Sequence, residues 1–465
     1  MGDFENMRDK IKRTITIFLT LLTVLVMLPC MTVDAIQFTP PFELNSQAGI
    51  LVNLDTNTVI FQKNADTPMS PAQTVNIMTA ILCLENCSDL ENTMVTMPAE
   101  IYNDFDTYRQ NDPNIYVTTA DFYMGEELSM LTLMYGMMLQ SGCEAASAIA
   151  YTIGNGSVST FVNMMNEKAK QIGATNTNFT NPHGLYAETQ YTTAEDLAKI
   201  TEYALSLPRF EEIATAMTYE VQPTNVHTQA YELTHSNIMM DSDSEYYYDG
   251  VKGIKTGNST QSGRCLVTEY KKNGSNYLLV LLNAPMKDPD GRNRFYHLED
   301  AKQLIAWAAE HIKYTTLLEG DKEIDEVEVD YASGNGYVLV KPETSYSTLW
   351  LDTMDTTTIQ RVPKYNEHIY APVKKGDIIG TMTLSVGGEE LTTVNLVATS
   401  DVERSFVNYN MAVLQDFPKS KWFKIAVLVG TVGAVLYVVF YVVRVREYNL
   451  NRRRSKKPIN KEPKS

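Results

Sequence analysis

The feature that most constrains this chain is a stretch of 19 residues without a charged side chain, residues 425–443. A helix of that length extends ~28 Å, which matches the hydrocarbon core of a lipid bilayer. Trp422 and Tyr441 lie near its two ends, where aromatic side chains favour the membrane–water interface. The sequence therefore predicts one membrane-spanning helix close to the C-terminus, because the basic residues that follow disfavour a buried core helix.

The charges on either side of this stretch indicate its orientation. Residues 444–465 carry nine basic and two acidic side chains, whereas residues 36–443 carry 26 basic and 50 acidic ones, a net charge of −24. Basic flanks stay on the cytoplasmic side of a membrane. We therefore expect a cytoplasmic tail and an acidic extracellular body, and so acidic a body excludes nucleic acid as a partner.

The N-terminus has the layout of a secretory signal peptide. Four basic residues lie within positions 8–13, an apolar run follows over 14–28, and Val33 and Ala35 precede a cleavage point before Ile36. These features predict a signal peptide over residues 1–35 and an extracellular address. An uncleaved anchor remains an alternative, although the apolar run of about 15 residues is short for a membrane span.

Four cysteines remain after such a cleavage, namely Cys83, Cys87, Cys143 and Cys265. Their spacing fits neither a zinc site nor a dense disulfide framework, and Cys83 and Cys87 share one face of a predicted helix as core residues would. The sequence shows no metal-ligand cluster and no nucleotide-binding motif. It therefore predicts no metal and no cofactor.

Between its ends the chain shows the apolar patterns of two folded domains. Residues 49–55 and 58–63, joined by Thr56 and Asn57, predict a β-hairpin, and apolar residues at helical spacing follow over 74–87. Helices are also predicted at 127–140, 144–153, 160–172, 194–205 and 300–311, strands at 264–270 and 277–284, and short strand-like runs between 323 and 397. The resulting prediction is a mixed α/β (α+β) domain over 36–317, a small all-β domain over 318–400, a connector over 401–424, the membrane helix over 425–443 and a basic tail over 444–465.

Several segments of the mixed domain then occur in an order that is typical of one protein family. They are residues 161–185, 191–197, 235–237 and 253–267, the last of which contains Lys255, Thr256 and Gly257 in succession. Together they resemble the serine D-alanyl-D-alanine carboxypeptidases, which are low-molecular-mass penicillin-binding proteins. The similarity covers about residues 41–317, and residues 318–400 fit the accessory β domain of that family. A lone Lys-Thr-Gly is weak evidence, whereas four ordered segments are strong evidence.

The resemblance implies a β-lactamase-like fold, an antiparallel sheet flanked by helices. It also implies cleavage of the terminal D-Ala–D-Ala bond of cell-wall stem peptides by acyl transfer to a serine, with a lysine three residues later as the base. In this family a Ser-x-Asn motif supplies a second hydroxyl and an amide, and the Lys-Thr-Gly strand binds the substrate carboxylate. Two backbone N–H groups form the oxyanion hole.

This chain departs from the family pattern at the nucleophile motif. Pro71 and Ala72 before the motif and residues 77–80 after it set the register, so that the nucleophile position holds Gln73 and the base position holds Asn76. A carboxamide is neither a useful nucleophile nor a base at neutral pH. No serine in the chain has a lysine three residues later, so the pair has not simply moved elsewhere.

The second motif is kept in part, as Ser141, Gly142 and Cys143, with a cysteine where the family has asparagine. Cys143 is expected to lie at the substrate site, as a buried or cleft-wall thiol rather than as a nucleophile. Ser141 or Cys143 could serve as a replacement nucleophile with Lys255 as its base. His183, within the family segment 173–185, is expected to be a structural loop residue.

The third motif is intact, and the resemblance implies that Lys255, Thr256 and Gly257 bind the substrate carboxylate. It also implies that the backbone N–H groups of Gln73 and Asn258 form the oxyanion hole. The leading hypothesis is a membrane-anchored protein that binds a peptidoglycan stem peptide or a wall-synthesis protein without cleaving it. The alternatives are an active hydrolase that uses Ser141 or Cys143, and a structural scaffold of the bacterial envelope.

Overall fold

The computed structural model describes residues 38–111 and 115–454. The predicted signal peptide and the end of the basic tail, residues 455–465, lie outside this part of the chain. The described residues form two compact units. The first contains the chain up to Lys313 together with Leu349–Met354, and the second contains Tyr314–Thr348 together with the chain from Asp355 onward.

The first unit combines antiparallel strands with helices. Its strands are β1 (Ala48–Asn53), β2 (Thr58–Lys63), β3 (Met94–Thr96), β4 (Glu127–Ser129), β5 (Thr218–Val221), β6 (Tyr231–Thr234), β7 (Val251–Ser259), β8 (Gly263–Lys272) and β9 (Ser275–Ala284). Its α-helices are α1 (Asn76–Asn86), α2 (Ala99–Asn111), α3 (Met130–Gln140), α4 (Cys143–Ile153), α5 (Val158–Ile172), α6 (Ala194–Leu205), α7 (Phe210–Ala214) and α8 (Tyr296–His311). Short 3₁₀ helices occur at Ala72–Val75 and Ile238–Met240.

The main sheet has five antiparallel strands in the order β2-β1-β9-β8-β7, so β7 lies at one edge. Both faces of this sheet are buried, which explains why β9 is apolar at successive positions. Leu278, Val280 and Leu282 belong to the core on one face, whereas Leu279 and Leu281 belong to the core on the other. The strands predicted at 49–55, 58–63, 264–270 and 277–284 are therefore confirmed as β1, β2, β8 and β9 of this sheet, in the mixed fold that was expected.

Helices cover the two faces unequally. Helices α1, α3, α4, α5 and α6 contribute to one core, and α8 contributes Leu298, Leu304 and Ile305 to the other. Helix α1 is buried from Asn76 to Cys83, and Cys83 and Cys87 are both buried free thiols, as the sequence predicted. A helix that is buried on all sides can hold its first residues in a fixed position. Its first residue is Asn76, and Gln73 lies in the turn directly before it.

One predicted helix begins later than expected, and another helix was not predicted. The helix predicted over 127–140 begins only at Met130, because Glu127–Ser129 forms β4 and the Ser129 hydroxyl caps the helix by accepting the Thr132 N–H at 3.1 Å. Helix α2 was not predicted, since its many polar residues hide the periodicity of Ile101 and Phe105, which are both buried.

The second unit is mainly β-structure, as predicted. Its strands, two of which continue into the first unit, are β10 (Ile312–Leu318), β11 (Asp325–Glu328), β12 (Tyr337–Pro342), β13 (Tyr346–Leu351), β14 (Gln360–Tyr365), β15 (Ile378–Val386) and β16 (Glu389–Ala398), with a 3₁₀ helix at Thr356–Thr358. Five of them form an antiparallel sheet in the order β11-β12-β16-β15-β14. Apolar residues such as Val338, Val340 and Ile379 form its core.

The C-terminal part of the second unit is helical. The predicted connector contains α9 (Phe406–Asp416) and a 3₁₀ helix at Phe417–Lys419, which the sequence did not reveal. Helix α10 (Lys421–Arg454) follows, and its segment Lys421–Arg452 is long and apolar enough to cross a membrane. The mean hydropathy reaches 2.4 over 18 consecutive residues of this segment, none of which is buried against the protein. Such a helix fits membrane anchoring, as predicted from residues 425–443.

Candidate functional site

The nucleophile motif lies at the start of α1. Ala72 has a left-handed backbone with φ of 47°, and a 3₁₀ turn over Ala72–Val75 leads directly into the α-helix at Asn76. The Thr74 hydroxyl donates to the Pro71 carbonyl at 2.6 Å and helps to close this turn. Gln73 thus occupies the first turn of a buried helix, with only 3% of its surface exposed.

Two glycines allow other segments to approach Gln73 closely. A Cβ atom at Gly257 in β7 would lie only 2.7 Å from the Gln73 nitrogen. A Cβ atom at Gly184, whose φ is +83°, would lie 2.2 Å from the Ala72 carbonyl oxygen and 2.6 Å from the Gln73 Cα. Any side chain at either position would force the backbone apart, so the start of α1 is held between β7 and the loop that contains Gly184.

The Gln73 side chain contacts the strand that carries the third motif. Its Oε1 atom accepts a hydrogen bond from the Asn258 N–H at 2.8 Å. Because β7 is an edge strand, the N–H groups on its outer side have no strand partner within the sheet. Gln73 therefore satisfies one of these donors from within the protein, a contact that sequence reasoning did not foresee.

Asn76 is fully buried beneath the same loop. Its Nδ2 donates to the Pro182 carbonyl at 3.1 Å, and the Thr79 hydroxyl donates to the same oxygen at 2.8 Å. The Asn76 Oδ1 atom has no hydrogen-bond partner among the residues that the structure describes. Asn76, which the sequence register assigned to the family's base position, is therefore an anchoring amide without a basic nitrogen.

Ser141 and Lys255 lie together, although 114 residues separate them in sequence. The Lys255 Nζ donates to the Ser141 Oγ at 2.5 Å and to the Thr256 carbonyl at 3.0 Å. Ser141 ends α3 with a left-handed backbone, which turns its side chain away from the helix toward β7. Lys255 is 0% exposed, and this burial lowers the pKa of its ammonium group to about 7. A sizeable share of Lys255 is therefore neutral at physiological pH, and a neutral amine can accept a proton.

The hydroxyl groups of Thr256 and Ser236 form a pair 2.6 Å apart. Ser236 is exposed and Thr256 is partly exposed, so these hydroxyls are accessible to a ligand while the Lys255 ammonium is not. Sequence reasoning expected Lys255 itself to meet a carboxylate and did not assign a role to Ser236. In the sequence, only the position of Ser236 within the family-like segment 235–237 drew attention to it.

The neighbours of Ser236 are structural. His235 is buried, its Nε2 lies 3.1 Å from the Ala214 carbonyl, and its Nδ1 accepts the Asn237 N–H at 2.9 Å. Burial, followed by the charge of Lys255, lowers the pKa of His235 to about 4, so its imidazole is neutral. The Asn237 amide donates to the Gly253 carbonyl at 2.6 Å and thereby ties this segment to β7.

Cys143 is not at the surface of the cleft, which corrects the expectation that it contacts substrate. The residue is 0% exposed and packs with Phe105 and Leu185, and its Sγ lies 3.6 Å from the Thr118 hydroxyl. Burial raises the pKa of the Cys143 thiol to about 12. A protonated, buried thiol is a poor nucleophile, so the geometry disfavours Cys143 as a catalytic residue.

Glu144 is a buried carboxyl group behind the second motif that sequence reasoning missed. One of its oxygens accepts the N–H groups of Ala120 at 2.6 Å and Phe122 at 3.3 Å. The same loop supplies Thr118, whose hydroxyl donates to the Ser141 carbonyl at 2.7 Å. Burial raises the pKa of Glu144 to about 7. Glu144 therefore holds the loop that supports Ser141.

His183 has the structural role that the sequence predicted. It is buried between the rings of Phe105 and Tyr108, with centroid distances of 5.6 and 5.4 Å, and its Nδ1 accepts the Leu185 N–H at 3.2 Å. Burial lowers the pKa of His183 to about 3. An imidazole that is neutral at every physiological pH and enclosed by aromatic rings is not placed to transfer protons.

An open cleft of about 1050 Å³ lies against Gln73 and Asn258. The three tyrosines Tyr108, Tyr116 and Tyr186 also line it. The cleft is large enough for a ligand of several residues, since pockets of about 300–1,000 Å³ hold drug-sized molecules. A peptide-sized cleft therefore adjoins the end of β7, the strand that carries the third motif.

Comparisons with known proteins match both units. A model of the D-alanyl-D-alanine carboxypeptidase family matches residues 34–286, and one of the C-terminal domain of penicillin-binding protein 5 matches residues 313–404. The chain is 26% identical over 378 residues to the D-alanyl-D-alanine carboxypeptidase DacF of Bacillus subtilis, which covers 81% of this chain and 91% of that protein.

Solved structures give the same result for the fold. The D-alanyl-D-alanine carboxypeptidase DacD of Francisella tularensis superposes with a TM-score of 0.56 at 21% identity and covers 79% of this chain and 95% of its own. Penicillin-binding protein 5 of Haemophilus influenzae superposes with a TM-score of 0.53 at 23% identity and covers 79% of this chain and all of its own. At these identities the likeness establishes the fold.

Proposed function

The chain belongs to the D-alanyl-D-alanine carboxypeptidase family, and on that premise we propose that it is a non-catalytic member. In this proposal it is anchored in a bacterial cell membrane and binds peptidoglycan stem peptides, or a wall-synthesis protein, without cleaving them. The family acts on peptidoglycan, so a wall peptide is the first ligand to consider. The observation that supports the proposal is the sequence register, which aligns Gln73 with the family's nucleophile position and Asn76 with its base position.

The chemistry of these two residues argues against acyl transfer. The Gln73 carboxamide is bonded to Asn258, and the Asn76 amide is anchored to Pro182, so neither side chain can attack a carbonyl or accept a proton from a nucleophile. Loss of both groups costs a hydrolase several powers of ten in rate. Turnover of a wall peptide is therefore expected to be near the uncatalysed background.

Recognition of a carboxylate does not need those groups. The hydroxyl pair of Ser236 and Thr256 offers two donors at the cleft, and the Lys255 ammonium lies behind Thr256 and adds positive charge when protonated. Hydrogen bonds between hydroxyl donors and a carboxylate are strong because the acceptor is ionised. These features support binding of a peptide through its C-terminal carboxylate.

A direct test uses the full chain in detergent micelles and an acylated peptide that ends in D-Ala–D-Ala. We expect saturable binding by calorimetry and no release of D-alanine above the buffer control. Release of D-alanine that grows with protein concentration would refute a non-catalytic role. A Gln73→Ser/Asn76→Lys variant, prepared in parallel, shows that the assay detects turnover when the missing groups are supplied.

A second candidate function is an active hydrolase, and the bond between Ser141 and Lys255 favours it. A hydroxyl 2.5 Å from an amine with a pKa of about 7 has a base in place, although Ser141 is only 7% exposed. Ser141→Ala and Cys143→Ala variants separate the two candidate nucleophiles. Activity that survives both substitutions would exclude this mechanism, and loss of activity in Ser141→Ala alone would support it.

A third candidate is a scaffold that contacts other envelope proteins. Its acidic body and β domain offer large surfaces, and a pure scaffold would show no saturable binding of wall peptides. The proposed orientation, with the body outside the cell and the basic tail in the cytoplasm, is testable by protease treatment of intact cells. We expect a tag on the tail to be protected and the body to be digested.

A further inference from the structure

We infer that Gln73 is an internal occupant of the oxyanion position, so that the cleft recognises the carboxylate end of a peptide but does not receive its preceding carbonyl group. This inference rests on the proposed function and specifies how the same cleft selects its ligand. It concerns the contact between the Gln73 Oε1 and the Asn258 N–H, which are 2.8 Å apart.

The geometry places the Gln73 oxygen where a ligand carbonyl would need to be. Asn258 lies on the outer edge of the sheet and lines the cleft, two positions beyond Thr256, so a peptide held at Thr256 would extend past Asn258. A carboxamide oxygen and a peptide carbonyl oxygen are the same kind of acceptor. A ligand carbonyl could bond to Asn258 only after it displaced the Gln73 side chain.

The surrounding residues keep Gln73 in place. Gly257 and Gly184 allow β7 and the neighbouring loop to press against its backbone, and the residue is almost fully buried. Displacement would leave the Gln73 carboxamide without its bond to Asn258, and the new ligand bond would only replace the one that was lost. The exchange therefore yields little net affinity, and the protein gains no selectivity for a ligand with a carbonyl at this position.

The consequence is a prediction about ligand class. Two modified peptides that end in the same carboxylate test it. In the first, a ketomethylene group (CO–CH2) replaces the amide between the two last D-alanines, and in the second an alkene (CH=CH) replaces it, so only the first places a carbonyl before its terminal residue. The wild-type protein is expected to bind them with affinities that differ by no more than about twofold. A cleft with an open oxyanion position would instead favour the ketomethylene peptide.

The first experiment needs no ligand. Amide hydrogen exchange at Asn258 is measured in the wild-type chain and in Gln73→Met, which keeps the length of the side chain but removes the carboxamide oxygen. We expect the protection of the Asn258 N–H to fall at least tenfold in Gln73→Met and to persist in Gln73→Glu, which still offers an oxygen acceptor. Equal protection of Asn258 in wild type and in Gln73→Met would overturn the inference.

The second experiment measures the selectivity between the two peptides. In Gln73→Ala the Asn258 N–H becomes available, and we expect the preference for the ketomethylene peptide over the alkene peptide to rise about three- to tenfold, the range expected for one hydrogen bond. An unchanged preference would overturn the inference. A third outcome separates this inference from the proposed function: neither peptide binds any variant, but the exchange at Asn258 responds as expected. That result would support the occupied oxyanion position and refute the proposed ligand of the cleft. Far-ultraviolet circular dichroism spectra of each variant verify that the substitution leaves the fold intact.

Discussion

The two walls of the candidate site differ in the polar side chains that they present. The wall formed by the start of α1 carries Gln73 and Asn76, whose amides are bonded to other parts of the protein. The wall formed by β7 and its neighbours carries Ser141, Lys255 and the hydroxyl pair of Ser236 and Thr256, which still form a connected polar site. Covalent chemistry needs both walls, whereas binding of a carboxylate needs only the second. Under the proposed function, the first wall lacks the groups for covalent chemistry, while the second wall keeps groups that suit carboxylate binding.

The largest expected effect comes from restoring the first wall. In Gln73→Ser/Asn76→Lys a hydroxyl and an amine would lie one helical turn apart at the start of α1, and penicillin should acylate the serine. Intact-mass measurement of the full chain is expected to show a stable adduct on this variant and none on the wild type, a difference in rate of at least about 10³-fold.

The single variant Asn76→Lys is the matched control, because it adds the amine but retains Gln73. It should give no adduct. An adduct on the wild-type chain would instead reveal a nucleophile on the second wall and would break the comparison. Peptide mapping would then show whether Ser141 carries the label.

The second prediction concerns how the first wall is held. Gly184→Ala should lower the free energy of unfolding by about 2–4 kcal/mol, because the new Cβ would meet the Ala72 backbone in addition to the strain of a positive φ. Gly173→Ala is a matched control with a φ of +85° and no atom within 4 Å of the new Cβ. It should cost only about 1 kcal/mol in a urea titration. Equal losses in the two variants would mean that the close contact at Ala72 does not stabilise the start of α1.

The third prediction tests the charge behind the second wall. Burial lowers the pKa of Lys255 to about 7, so the ammonium form that attracts a carboxylate predominates below pH 7 and is depleted above it. Ligand binding above pH 7 must therefore take up a proton, and peptide affinity should fall by up to about tenfold between pH 6 and pH 8. Calorimetric titrations at several pH values measure this slope.

Two variants test which titratable group causes this pH dependence of peptide affinity. Lys255→Gln should remove it, whereas Glu144→Gln should leave it, although the pKa of Glu144 is also raised to about 7. His183 and His235 stay neutral in this range, because burial lowers the pKa of the first to about 3 and of the second to about 4. A slope that disappears in Glu144→Gln would show that the loop behind Ser141, and not Lys255, governs binding.

The sequence predicted the main features of the fold because they depend on short patterns. The hairpin of β1 and β2, the apolar run in β9 and the apolar face of α1 each arise within a few residues. Helix α2 and the late start of the predicted helix at 127–140 were missed. The first depends on burial of two side chains in a polar helix, and the second on a single cap at Ser129.

The residues that line the candidate site were also singled out from the sequence, but their environments were not. Motif spacing drew attention to Ser141 and Lys255, which the structure brings within 2.5 Å of each other. It favoured a buried or cleft-wall thiol for Cys143 but gave no sign that Lys255 is buried or that Ser236 meets Thr256, because those facts depend on chain segments that are distant in the sequence. The bond between Gln73 and Asn258 likewise spans 185 residues. Sequence patterns identify residue types at family positions, whereas burial and long-range contacts decide what each residue can do.

The smallest expected effect concerns the hydroxyl pair itself. Ser236→Ala removes the exposed member of the pair and should weaken peptide binding about threefold, the lower end of what one hydrogen bond contributes. Ser206→Ala, which removes another exposed hydroxyl at the end of α6, should leave the affinity unchanged. If both variants bind like the wild type, Lys255 attracts the carboxylate without help from Ser236, and the second wall acts through charge alone. A loss in Ser236→Ala that is equal at pH 6 and pH 8 would instead show that the hydroxyl pair contributes independently of Lys255, because an alcohol does not titrate in this range.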